Sequence, residues 1–322
     1  FRAPGGSRWS DQAASLATAT NGGLVLSSPN ERSLLVGIRP TNLLHFSPLV
    51  RTTDGGRSWS PVAPLSGVAD HPGALASDQT GDEIALVGDG GAEQVLTTSR
   101  SLPSWRTLTT GQKLATAPSG QMCALGVLTA VSYEPDNSAL IGSTCERPGI
   151  VGVFARQGGL WRLVGPTLPS SLARGRVEVL NLQETNGQLS ALLAISGAGH
   201  IQIVDSYRAA RSGRWVVSPP LGLKDGARVV SFGPSGASGA FVLGSDSSGA
   251  EQLSVLGSPS GSWQALPPPP NRTATVAFGP GGKVDALSVD DTVMTDWALG
   301  PGSHRWTKEQ VVNVAIQFGS SG

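Results

Sequence analysis

The chain has 322 residues, 14% of them charged, and its 23 basic and 23 acidic side chains cancel to a formal net charge of zero. That balance offers no basic surface for nucleic acid and no polybasic segment for anionic lipid, and no run approaches the roughly 18 apolar residues of a bilayer span. Gly (43) and Pro (23) are abundant, as expected where many short strands are joined by many turns.

In chain order, the first element is the turn GGSRW ending at Trp9, preceded by the opening tetrapeptide FRAP. RTTDGGRSW (51–59) follows, with Asp54 in a tight turn beside Gly55 and Gly56 and five residues before Trp59. SLPSW ends at Trp105. Cys123 and Cys145 then flank a hairpin of strands 123–133 and 138–145, each near its open end. A disulfide there closes a loop of about 22 residues, is worth roughly 3 kcal/mol in chain entropy, and favours an exported protein. QGGLW, RSGRW, PSGSW and GSHRW end at Trp161, Trp215, Trp263 and Trp306.

These seven tryptophans are spaced by 50, 46, 56, 54, 48 and 43 residues, a period that suits one four-stranded propeller blade per repeat. Inside the repeats, VVSFGPSG (229–236) and TVAFGPGG (275–282) are first strands ended by Gly-rich turns, AFVLGSD and VDALSVDD second strands, and EQLSVLG a third. No helix is expected. VAIQFGSSG at the C-terminus reads as a first strand and the N-terminal segment as a third-to-fourth turn. The expected fold is therefore all-β: one β-propeller domain over 1–322 with seven blades, or six as the alternative. N- and C-terminal strands together close the ring and remove open sheet edges.

Thr52, Asp54, Gly56 and Trp59 match the pattern Ser/Thr-x-Asp-x-Gly-x-x-Trp. Here the chain resembles the Asp-box (BNR-repeat) propellers, a group of sialidases, other glycosidases, sortilin-like receptors and photosystem II assembly-factor-like proteins. The full motif occurs once; the other repeats keep mainly the tryptophan. Physically the box is a turn device, in which Asp and Thr side chains bond nearby backbone N–H groups. The resemblance implies that such boxes lie between third and fourth strands, opposite the active face, so Asp54 is expected to be structural.

On that frame the other face carries the loops after second strands and the loops between blades. The first set holds Arg39, Asp89, Glu146, Arg147, His200, Asp246 and Asp290; the second holds Asp70, His71, Arg174, Arg176, Asp225, Arg228 and Arg272. This mixed polar set is the candidate binding site. A sialidase would need three arginines, a Tyr nucleophile with its Glu, and an acid. FRAP is similar to that family's F/Y-R-I-P motif but runs straight into the Trp9 turn, and Tyr133–Glu134 falls on a first-to-second strand turn. A glycosidase using Asp89, Asp246 or Asp290 is the alternative to binding. The four histidines are scattered, without metal-ligand spacing, and no phosphate-loop or nucleophile-elbow motif is present. Neither metal nor cofactor is expected. Trp297, outside the repeat, is a packed strand residue or a sugar platform.

The expectation is thus a non-catalytic, monomeric propeller that binds a protein or glycan partner. Arginine supplies 19 of the 23 basic residues, Lys113, Lys224, Lys283 and Lys308 the rest; with the Ala and Gly excess this suits a GC-rich bacterial genome. Location outside the cytoplasm is expected, secreted or in the cell envelope, with any tether in a segment beyond this chain.

Overall fold

The computed structural model describes residues 24–30, 32–38, 46–66, 72–88, 92–99, 102–185, 187–197, 199–209, 213–224, 226–236, 239–258 and 260–313. They divide into two compact units, the first from 24–193 with 208–215 and the second from 194–207 with 216–313.

In the first unit, β1 (Leu24–Asn30), β2 (Ser33–Ile38), β3 (Phe46–Thr52) and β4 (Ser60–Ser66) form a four-stranded antiparallel sheet in sequence order. β5 (Pro72–Ser77), β6 (Glu83–Val87), β7 (Gln94–Ser99) and β8 (Leu102–Thr110) form a second. Two helices follow, α1 (Gly111–Thr116) and α2 (Pro118–Cys123), where the sequence reading expected none. At six residues each they are too short to show a helical period. Their start signals are local: the Thr110 hydroxyl accepts from Lys113 N at 3.1 Å, and Pro118 opens α2.

Next come β9 (Leu125–Tyr133), β10 (Ala139–Cys145), β11 (Gly152–Gln157), β12 (Leu160–Leu163), β13 (Arg176–Thr185) and β14 (Gln188–Gly197). They are followed by β15 (His200–Ala209), β16 (Val216–Val217) and β17 (Leu221–Gly222). The division between units falls inside β14 and β15. In the second unit, β18 (Arg228–Pro234), β19 (Ala240–Ser245), β20 (Glu251–Leu256) and β21 (Gln264–Ala265) make one four-stranded sheet. β22 (Thr273–Phe278), β23 (Val284–Asp290), β24 (Val293–Leu299) and β25 (Thr307–Asn313) make another.

The sheet count corrects the seven, or six, blades read from the spacing. Four sheets are four-stranded blades, whereas β9 to β17 join into one nine-stranded sheet. The join is short, Thr144 and Cys145 of β10 pairing with Glu178 and Val177 of β13. Gly142 permits the approach, since a Cβ there would lie 2.7 Å from Val179 and 3.0 Å from Ala130. A tryptophan period reports the length of each repeat and is blind to hydrogen bonds that cross from one repeat to the next. Trp9, FRAP and the C-terminal strand expected to close the ring lie outside the described residues.

The core sits between neighbouring sheets. β6 and β19, both second strands, are buried at every position, so EIALV and AFVLGS read as continuous apolar runs rather than alternations. In the first unit Leu35 and Leu49 pack with Leu75, Ala85 and Val87. In the second, Phe241, Leu243 and Leu253 pack with Val276, Val284 and Leu299, and the Phe241 and Phe278 rings stack 5.2 Å apart. Truncating such a fully buried leucine costs about 2–5 kcal/mol.

The turn tryptophans lie in, or directly before, fourth strands: Trp59, Trp105, Trp161, Trp215, Trp263 and Trp306. Trp215 Nε1 donates to the Val164 carbonyl at 2.7 Å, Trp263 Nε1 to the Pro219 carbonyl at 3.0 Å, and Trp306 Nε1 to the Pro267 carbonyl at 3.1 Å. Each acceptor lies three or four residues beyond the preceding tryptophan of the series. The indole therefore latches onto the linker that leaves the previous fourth strand.

Candidate functional site: the loops after the second strands

The Thr52–Trp59 turn is held together from within. The Asp54 carboxylate accepts from Ser58 N at 2.9 Å, Ser58 Oγ at 2.6 Å and Thr52 Oγ1 at 2.8 Å, while Thr52 Oγ1 accepts from Gly56 N at 2.9 Å. Gly55 and Gly56 adopt φ of 76° and 86°, open to glycine at no steric cost. The Ser58 hydroxyl and backbone, with Thr52, hold the Asp54 carboxyl down at about 2. An acid so fully occupied by its own turn has no proton to trade at neutral pH.

On the loops opening at the other ends of the strands, the expected residues pair with one another. Glu146, after β10, is bonded to Arg176, which begins β13. Asp290, at the end of β23, is bonded to Arg272, just before β22. Asp246, after β19, lies 3.5 Å from Lys224, just before β18. In each case the acid on a second-to-third loop meets a cation on a loop that enters a first strand. Such exposed pairs add little stability, but they cancel charge. Lys224 was not legible in the sequence, because its partner Asp246 lies 22 residues away and meets it only through the approach of two loops. Arg39, Asp89, Asp70, His71 and Asp225 lie outside the described residues. His200 and Arg228 are exposed at the starts of β15 and β18.

The carboxylates are engaged. Besides Lys224, Asp246 accepts from Ser248 Oγ at 2.5 Å, Ser248 N at 2.9 Å and Ala250 N at 3.0 Å, which hold its pKa down, the Ser248 hydroxyl most of all. Tyr133 and Glu134 are buried, and Glu134 is ion-paired with buried Arg208 at 2.8 Å; burial also pushes the Tyr133 hydroxyl up. A substrate cannot reach this couple. Trp297 Nε1 donates to Ser288 Oγ at 3.0 Å and Lys308 covers the ring at 5.3 Å, so Lys308 takes the ring face that a sugar platform would offer. Asp285, Asp296 and Glu309 bring their oxygens within 4.8 Å of one another. Lys283 Nζ reaches Asp285 at 2.9 Å and Glu309 at 3.0 Å, and is itself the cation there.

The described arginines that stand out belong to two loops fixed to each other. Gly149 N donates to the Gly175 carbonyl at 2.9 Å, and a Cβ on Gly149 would lie 2.4 Å from the Ala173 carbonyl oxygen. The first loop is anchored again by Glu146 N to the Ala124 carbonyl and Arg147 N to the Cys123 carbonyl, at 3.0 and 3.3 Å. Cys123 and Cys145 are joined by a disulfide, Cα to Cα 5.0 Å, at the root of the same loop. Arg147 and Arg174 project from this rigid base, both exposed and with no side-chain partner among the described residues.

No protein-family model matches the chain, and no curated protein is similar to it in sequence. Solved structures are similar in fold. A 6-phosphogluconolactonase-like protein from Bacteroides uniformis ATCC 8492 is 12% identical over 91% of this chain and 85% of its own, with a TM-score of 0.58. YCF48 bound to D1 peptide is 14% identical over 91% and 84%, TM-score 0.55. SapL1 lectin in complex with alpha methyl fucoside is 12% identical over 90% and 96%, TM-score 0.51. These are β-propeller proteins, and the four-stranded antiparallel blades described above are of that fold.

Proposed function

We propose that this chain is a non-catalytic β-propeller of the Asp-box type that works outside the cytoplasm and binds a protein or glycan partner through the loops after its second strands and between its blades. The observation that carries the reading is the Arg147–Arg174 loop pair: two guanidinium groups without a side-chain partner among the described residues, on a base that a disulfide and three backbone hydrogen bonds make rigid. Preorganised arginines of this kind suit bidentate recognition of carboxylates and stacking on rings. The structural neighbours include a protein bound to a peptide and a lectin bound to a glycoside, partners consistent with the proposal. A glycoside hydrolase would use Asp246 and Asp290, each of which already has partners of its own.

The test is the double variant Arg147→Glu/Arg174→Glu against a partner captured from the native host's envelope fraction. Binding should weaken at least about tenfold, or 1.4 kcal/mol, with the melting temperature unchanged. The control, Arg57→Glu/Arg305→Glu, changes exposed arginines in third-to-fourth strand turns. Loss of binding in the control with retention in the double variant would show that the face has been assigned backwards.

A further inference from the structure

A concavity lies in the first unit, at the ends of the strands opposite the loops that follow second strands. It is a cleft of about 240 Å³ whose polar lining comes from Ser33, Arg51 and Thr53 on one side and Ser77, Gln79 and Thr80 on the other, with Leu34 and Leu35 as an apolar part. Both walls are preformed. One leads into the turn that Asp54 holds. The other is a turn of the same logic, in which Asp78 Oδ1 accepts from Thr80 N, Gly81 N and Asp82 N at 2.9, 2.8 and 2.8 Å.

The charges of the cleft are spent internally. Arg51 is ion-paired with Glu83, whose side chain is fully buried, and Asp78 is occupied by its own turn. An anion therefore meets no uncompensated guanidinium. What the wall does offer is hydrogen-bonding capacity of both signs. The Ser77 hydroxyl, which lines the cleft, is buried without a hydrogen-bond partner among the described residues. Orphaned buried polar atoms are costly and call for an explanation, and a bound ligand supplying hydroxyl groups is a direct one.

We infer that this cleft binds a small, neutral, hydroxyl-rich ligand of the monosaccharide or polyol class. Hydroxyls both donate and accept, matching the Ser, Thr, Gln, Asp and Arg groups of the wall, while the C–H faces of a sugar suit Leu34 and Leu35; the volume lies below the usual range for drug-sized ligands. With no aromatic ring among the lining residues, affinity is weak, and the site adds to the partner-binding loops rather than replacing them.

The probes are the methyl α-glycosides of glucose, mannose, galactose and fucose at millimolar concentration, observed by saturation-transfer NMR, with glucuronate as the charged comparison. At least one neutral glycoside should receive saturation, and glucuronate should bind about tenfold more weakly or not at all. Gln79→Trp and, independently, Thr53→Trp fill the cleft from exposed positions; either, once shown folded by circular dichroism, should abolish the transfer. Arg147→Glu/Arg174→Glu should leave it intact, which separates this site from the proposed partner face. Absence of transfer to all four glycosides, equal binding of glucuronate, or transfer that survives a folded filled variant would overturn the inference.

Discussion

Asp205 lies buried in the middle of β15, its backbone N donating to Ser218 Oγ at 3.0 Å while its carboxylate Oδ1 has no hydrogen-bond partner. Burial, only partly offset by the Ser206 backbone, raises its pKa from 3.8 to about 7. Between those two values the folded chain keeps a proton that the unfolded chain has released, so the contribution of Asp205 to stability is greatest below about pH 4 and falls as pH rises through about 7. The full shift corresponds to an upper bound of about 4 kcal/mol. Asp205→Asn should raise the melting temperature at about pH 8 and flatten its decline between roughly pH 5 and pH 8; an unchanged slope in the variant would show that another group titrates. Residues of this kind were invisible in the sequence, because a strand pattern such as IQIVDSY does not say which way a carboxylate points. Asp54 was legible, since its partners lie within four residues of it. Glu146–Arg176 and Asp290–Arg272 were legible as members of one polar set but not as pairs, because pairing depends on how closely two loops approach.

At the scale of elements, the six turn tryptophans among the described residues lie in or directly before fourth strands, and VVSFGPSG, AFVLGSD and EQLSVLG each became the strand expected. The helices were missed because Pro118 splits a twelve-residue stretch into two single turns, and the nine-stranded sheet because a two-residue bridge has no signature in composition. The indole latches were missed for a related reason: their acceptors are backbone carbonyls, which sequence does not distinguish. They are testable. Trp263→Phe keeps the ring and deletes one hydrogen bond to a solvent-accessible linker, and should cost about 1 kcal/mol. Trp215→Phe should cost more, about 2 kcal/mol, because Trp215 also stacks under the Arg208 guanidinium at 5.0 Å, and Arg208 neutralises buried Glu134. Urea titrations of both variants give the comparison; equal losses would remove the special standing of Trp215.

For the molecule as a whole, the Cys123–Cys145 bridge joins the end of α2 to the end of β10 across 22 residues, and its removal should cost about 3 kcal/mol. Cys123→Ala/Cys145→Ala should therefore melt lower than the parent. Mass spectrometry of the unreduced, alkylated protein should find no free thiol; two alkylated cysteines would remove the main support for a location outside the cytoplasm. The latches have a consequence of another kind. Because each indole reads a main-chain oxygen, the residue bearing that oxygen is free to change, and here it is Val164, Pro219 and Pro267 in turn. Equally, each contact spans 39 to 51 residues without measuring what lies between, so the exposed loops can lengthen, shorten or exchange side chains while successive sheets stay in step. A chain built this way can acquire new partners at its loops while the indole latches and the close-packed glycines hold its sheets.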